Sequence, residues 1–153
     1  MKTKYSFLCG LIALLAFSFM AFQTAPAAGE FAMIINRENT INALTASEAK
    51  LYYLRKLKKR WTEINKNIRP VDRKAPCAEQ NAFYSKILSM SAADVEKYFT
   101  GKQLQNAERP PDKFATDSEV INFVASEPGA IGYVSVRSLT GENKEKVKVV
   151  LQF

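Results

Sequence analysis

Histidine is absent from all 153 residues. That removes serine–histidine and cysteine–histidine catalysis, and every histidine-ligated metal, in one step. Cysteine is nearly absent, with Cys9 and Cys77 the only two. Cys9 falls inside an N-terminal apolar run, so Cys77 stands alone in the remainder and no internal disulfide can form there. Glycine is sparse, and none of it forms a phosphate-cradling loop. Clustered arginines interleaved with aromatic platforms, the footprint of a nucleic-acid binder, are missing as well. No nucleophile–base pair, metal set, internal repeat or low-complexity segment stands out. An enzyme therefore ranks last among the function classes, and no cofactor is expected.

The first feature that is present is a leader pattern. Lys2 and Lys4 precede an apolar run over 7–22, and Ala25-Pro26-Ala27 follows as a cleavage site. At about 16 residues the run falls short of the roughly 20 that a spanning helix needs, so 1–27 reads as a secretory signal peptide. The expected location is the periplasm or the exterior, which argues against a nucleic-acid partner. Residues 28–153 then form one domain by size. Without Lys2 and Lys4 the chain keeps 20 basic against 15 acidic residues, a net +5, which suits anionic partners and is also ordinary for a solvated surface.

The stretch over 116–136 organises the domain. Thr116 and Glu119 have capping-box spacing. Val120, Phe123 and Val124 fall on one helical face. Pro128 disfavours helix at Glu127, and Gly129 is placed to take a positive φ in a tight exit. Ile131, Tyr133, Val134 and Val136 then read as a strand, with Gly132 inside it marking a close backbone or ligand approach.

Upstream, 30–36 is a nearly continuous apolar run of strand length, which predicts a strand covered by helices on both faces. Thr45 and Glu48 give a second capping box, opening a helix expected to reach about Lys59 with Leu51, Leu54, Leu57 and Trp61 as its apolar stripe. Lys50, Arg55, Lys56, Lys58, Lys59 and Arg60 read as a wet basic face at that helix C-terminus, in preference to an anion site. A short strand follows over 68–72, put at a sheet edge or bulge by Pro70. A helix carries Ala82, Phe83, Ile87 and Leu88, Ser91 caps another over 92–99, and 101–115 is a polar loop. Gly141 breaks a turn over 139–144, and 146–151 ends the chain as a strand. The order β, α, β, α, α, α, β, β predicts an α/β domain, a small mixed sheet flanked by helices.

Several segments resemble the phosphate-binding proteins of phosphate ABC transporters. They are Leu44-Thr45 with Glu48, Tyr53-Leu54 and Trp61; Tyr98-Phe-Thr-Gly-Lys102 with Pro110-Pro111; and Ser126-Glu-Pro-Gly-Ala-Ile-Gly-Tyr-Val134. The resemblance covers nearly all of 28–153 in order. It implies one lobe of a type-II periplasmic-binding-protein-like fold, since the two-lobed members need roughly twice this length. Lys56 departs from the family, which has glycine there.

The resemblance places an anion site where a strand, a loop and a helix N-terminus meet. Unpaired helical N–H groups and the macrodipole favour negative charge there. Arg73 and Phe83 match the family's arginine and phenylalanine. Between them Cys77 replaces serine, Ala78 glycine, Glu79 threonine and Gln80 arginine. Two hydroxyl donors and a bidentate guanidinium are thus lost, and a carboxylate is added. A lowered pKa at Cys77, beside Arg73 and Lys74, is the alternative to a small half-buried residue replacing serine. The expected function is a solute-binding-like module with weak or lost binding of phosphate or another small oxyanion at Arg73, Cys77, Ala78, Glu79 and Gln80. The alternative is an interaction module docking on a membrane transporter or sensor. The residues leave the oligomeric state open.

Overall fold

The computed structural model describes residues 29–56 and 59–153. The expected signal peptide over 1–27, with Cys9, and the stripe residue Leu57 lie outside them. Among the described residues no helix is long and apolar enough to cross a membrane.

The apolar run near the N-terminus forms strand β1, Phe31–Asn36, with every residue after Phe31 buried. Helix α1, Ala46–Tyr53, follows behind a complete Thr45–Glu48 capping box. It ends well short of Lys59. Arg55 takes a left-handed backbone (φ 52°), and the chain turns into a two-stranded hairpin of β2, Arg60–Trp61, and β3, Lys66–Asn67. Burial of Trp61 draws the chain out of the helix. Its ring stacks on Tyr52 at 4.6 Å between centroids, and its indole N–H donates to Gly129 O at 2.9 Å. The large apolar area and the satisfied N–H outweigh local helix propensity.

Strand β4, Arg69–Arg73, leads to α2, Ala78–Ala82, which continues as a π-helical turn over Phe83–Leu88. Helix α3, Ala92–Asn106, is capped by Ser91 and Asp94 and runs straight through Gly101. A glycine inside a helix costs about 1 kcal/mol relative to alanine. Val95 and Phe99 are buried on the helix's other face, and Tyr98 Oη donates to Leu54 O at 2.7 Å. The polar segment expected as loop therefore loses its first six residues to α3. It also contains β5, Asp112–Phe114. Helix α4, Asp117–Ser126, has the predicted Thr116–Glu119 capping box. Strand β6, Ala130–Ser135, the short helix α5, Glu142–Lys146, and strand β7, Val147–Gln152, complete the chain.

The sheet order is β5-β4-β6-β1-β7. β4 runs parallel to β5 and β6, whereas β1 is antiparallel to both β6 and β7. This is the small mixed sheet flanked by helices. Its two faces carry separate cores. Met33, Ile35, Ile131 and Tyr133 pack under α1, the Phe83–Leu88 turn and α3. Ala32, Ile34, Val71 and Val134 pack under α4. The period-2 alternation of a strand buried on both sides accounts for the unbroken apolar run in β1.

Three local expectations change. β4 is an interior strand despite Pro70. Arg69 N donates to Gly129 O on the β6 side, so alternation aims the proline nitrogen at the β5 side, where pairing begins only at Val71. Gly129 does not take a positive φ; among the described glycines only Gly141 does. A Cβ on Gly129 would instead run into the carbonyl oxygen of Asn67, so the β2–β3 hairpin requires the glycine. Gly132 admits neither backbone nor ligand. A Cβ there would meet Val120 Cγ1 at 3.0 Å and Val71 Cβ at 3.3 Å, so its role is to let α4 lie close on the sheet.

Candidate functional site

Strand alternation divides the residues around the C-terminal end of β4. Asp72 and Arg73 are adjacent, so their side chains leave opposite faces of the sheet. Both are buried, Asp72 5% and Arg73 4% exposed.

Asp72 points toward α2 and becomes the centre of a hydrogen-bonded cluster. Its Oδ1 accepts from Tyr133 Oη at 2.6 Å and from Gln80 Nε2 at 3.1 Å. Its Oδ2 accepts from Tyr84 Oη at 2.7 Å. The Arg73 backbone N–H supplies the carboxylate's fourth donor, to Oδ1 at 2.8 Å. Burial, with the Asp72 carboxylate alongside, pushes both phenols well above the usual tyrosine range. Both therefore remain protonated donors. Phe83, matched to the family's phenylalanine, stacks on the Tyr133 ring at 4.3 Å and holds it in place.

Arg73 turns to the α4 face. Its guanidinium pairs with Asp117, the first residue of α4. It also lies 5.7 Å from the Tyr133 ring centroid and 3.5 Å from Tyr133 O. Asp117 in turn accepts from Ser135 N at 3.1 Å and Ser138 Oγ at 2.5 Å. The arginine's charge is thus met by Asp117 inside the chain, while its Nε–H is buried without a partner among the described residues.

The loop and helix start stand beside this pair. Cys77 stands at the N-cap of α2 in an extended conformation, without a side-chain capping hydrogen bond. Ala78 is exposed, Cys77 and Glu79 are half-buried, and Gln80 is buried. Burial pushes the Cys77 thiol up, and Glu79 adds to the rise. This favours the small half-buried residue over the alternative of a lowered pKa: desolvation penalises the thiolate more than its neighbours stabilise it. A cleft of about 350 Å³ opens between the end of β4, α2 and α3. Asp72, Lys74, Gln80, Tyr84 and Lys113 line it, whereas Arg73, Cys77, Ala78 and Glu79 do not. Of the five candidate residues, then, Gln80 alone meets the cleft, and its amide already donates to Asp72 and to Tyr84 Oη. Among the described residues no group of three or more histidine, cysteine or acidic side chains is placed to hold a metal ion.

Sequence reasoning missed the partners Asp72, Tyr84, Tyr133 and Asp117. Three of them lie 8 to 61 positions from the groups they bond, across different elements. No periodicity signals a contact of that kind; Tyr84, at helical spacing from Gln80, is the exception that spacing could have found.

No family model matches the chain, and neither does any curated protein. Solved structures do. A Clostridium perfringens structure described as a phosphate ABC transporter substrate-binding protein with bound phosphate superposes at TM-score 0.60 and 21% identity, over 80% of this chain and 44% of that one. PstS from Borrelia burgdorferi gives 0.58 and 16%, and an ABC-type phosphate transport receptor from Vibrio cholerae 0.57 and 18%; each match covers 80% of this chain and 46% of the other. The chain thus has the mixed α/β fold of phosphate ABC transporter substrate-binding proteins, over less than half of their length, as a single lobe of that fold would.

Proposed function

We propose that this protein is an exported solute-binding-like module in which the strand, loop and helix around Arg73, Cys77, Ala78, Glu79 and Gln80 have lost their grip on phosphate and other small oxyanions. One observation carries the reading. The two side chains best suited to hold an anion are already occupied by the chain's own carboxylates, Arg73 by Asp117 and Gln80 by Asp72. An incoming oxyanion would have to displace a hydrogen-bonded carboxylate, buried for Asp72 and part-buried for Asp117, and desolvation makes that exchange costly. The leader pattern and the likeness to transporter-linked binding proteins support a periplasmic or secreted location.

The same internal pairing favours a second reading, an interaction module that docks on a membrane transporter or sensor without a small ligand. The basic residues expected to form one helical face do not do so. Only Lys50 lies in α1, while Arg55, Lys56, Lys59 and Arg60 follow it.

The test is a thermal titration of the purified protein with phosphate at constant ionic strength. A ligand at a hundred times its dissociation constant stabilises by about 2.7 kcal/mol. Any phosphate-dependent rise in melting temperature is expected to be the same in the wild type and in Arg73→Gln. A rise that disappears in Arg73→Gln would show that the arginine is still a ligand, and the proposal would fall.

A further inference from the structure

A second cleft, of about 380 Å³, opens near the N-terminal end of β4, at the opposite end of the strand from Arg73. Arg55, Lys59, Arg69 and Arg109 line it, with Glu108 the one carboxylate in its wall. The basic run after α1 was expected to be a wet face, but Arg55 is not wet. Its side chain is only 10% exposed.

Three further features bear on Arg55, the second of them shared with Arg69 and Arg73. Its backbone is left-handed (φ 52°), a conformation disfavoured for any residue with a Cβ. Its Nε–H is buried and has no partner among the described residues. Among the described residues, the one hydrogen bond its side chain makes goes to a neutral carbonyl, Arg109 O, at 2.7 Å. The nearest carboxylate oxygen to its guanidinium, Glu108 Oε2, stands 3.9 Å away, while Lys59 sits 2.8 Å from the other oxygen of that carboxylate. Arg69 repeats the pattern in part. Its Nη groups go to Asp112 and Glu127, and its Nε–H is buried without a partner.

Among the described residues, four cations therefore share three carboxylates, Glu108, Asp112 and Glu127. The most buried of these four cations, Arg55, has the most distant counter-charge, 3.9 Å against 3.7 Å for the exposed Arg109. Buried charges in folded proteins are paired, so this cluster is one negative charge short. We propose that the cleft binds a small oxyanion, with Arg55 as the buried anchor and Lys59, Arg69 and Arg109 around it. Sulfate, phosphate and a compact carboxylate share the chemistry such a cluster selects, a full negative charge on oxygens that accept from guanidinium and ammonium groups. This site is independent of Arg73 and Gln80.

The experiment is isothermal titration calorimetry of the purified protein with sulfate, phosphate and acetate, at an ionic strength held constant with chloride. Lys59 and Arg109 side chains are 68% and 73% exposed, so Lys59→Gln with Arg109→Gln leaves the core intact. We expect saturable one-to-one binding of at least one of the three anions to the wild type. The double variant should weaken it about tenfold or more. Arg55→Gln should abolish it, and Lys144→Gln, which removes a charge from α5, should not change it. No saturable heat with any of the three anions overturns the proposal. So does an equal weakening in Lys144→Gln, which would mark a general charge effect.

Discussion

At the scale of single residues, Asp72 decides what the end of β4 can do. Four donors converge on its carboxylate, and three of them come from side chains on α2, on the turn that continues it and on β6. Replacing the carboxylate by a methyl group would strand those donors in a buried site. Asp72→Ala is therefore expected to lower unfolding free energy by roughly 2–4 kcal/mol, read from the urea midpoint, and Tyr84→Phe by about 1 kcal/mol. The two phenols also set an alkaline limit. Their folded-state pKa values lie above the unfolded value of about 10, so their contribution is complete below that pH and is lost as pH rises past it. Tyrosinate absorbance from Tyr84 and Tyr133 should appear only together with loss of the far-ultraviolet circular dichroism signal. Ionisation of these phenols while the fold persists would contradict the burial described.

At the scale of elements, local chemistry sets the starts and tertiary contacts set the ends. The capping boxes at Thr45 and Thr116 form as their sequence spacing implies, and the Ser91 cap forms as expected, completed by Asp94. Thr116→Ala should cost about 1 kcal/mol, since it removes a cap from the helix that covers a whole face of the sheet. The ends were not legible in the same way. α1 stops early because Trp61 must return to stack on Tyr52, and α3 overruns Gly101 because its opposite face is anchored. Neither reason is local to the segment it governs. The two glycines near β6 teach the same lesson. Gly129 and Gly132 were recognisable as required positions, but the groups that press on them, Asn67 O and Val120, come from other elements. Gly129→Ala is expected to break the β2–β3 hairpin and cost more than about 3 kcal/mol, by the same denaturation measurement. A cost under 1 kcal/mol would mean that the hairpin can move away freely.

At the scale of the whole molecule, the sheet's layered burial was readable and its site was not. The apolar run of β1 announced a strand covered on both faces, and the mixed sheet with helical cover is what forms. The candidate site was read as a line of sequence, Arg73 to Gln80, with its donors assumed to face one ligand. The pleat sends Arg73 to α4 and leaves Gln80 with Asp72, so the donors divide between two faces. The fold of phosphate ABC transporter substrate-binding proteins is thus present in outline, while side chains at the end of β4 bond to one another. The most direct measurement is an amide NMR titration of the purified protein with phosphate at constant ionic strength, reading the resonances of residues 73–81. The account predicts that they do not move in a saturable way; saturable shifts at Cys77, Ala78, Glu79 and Gln80 would contradict it.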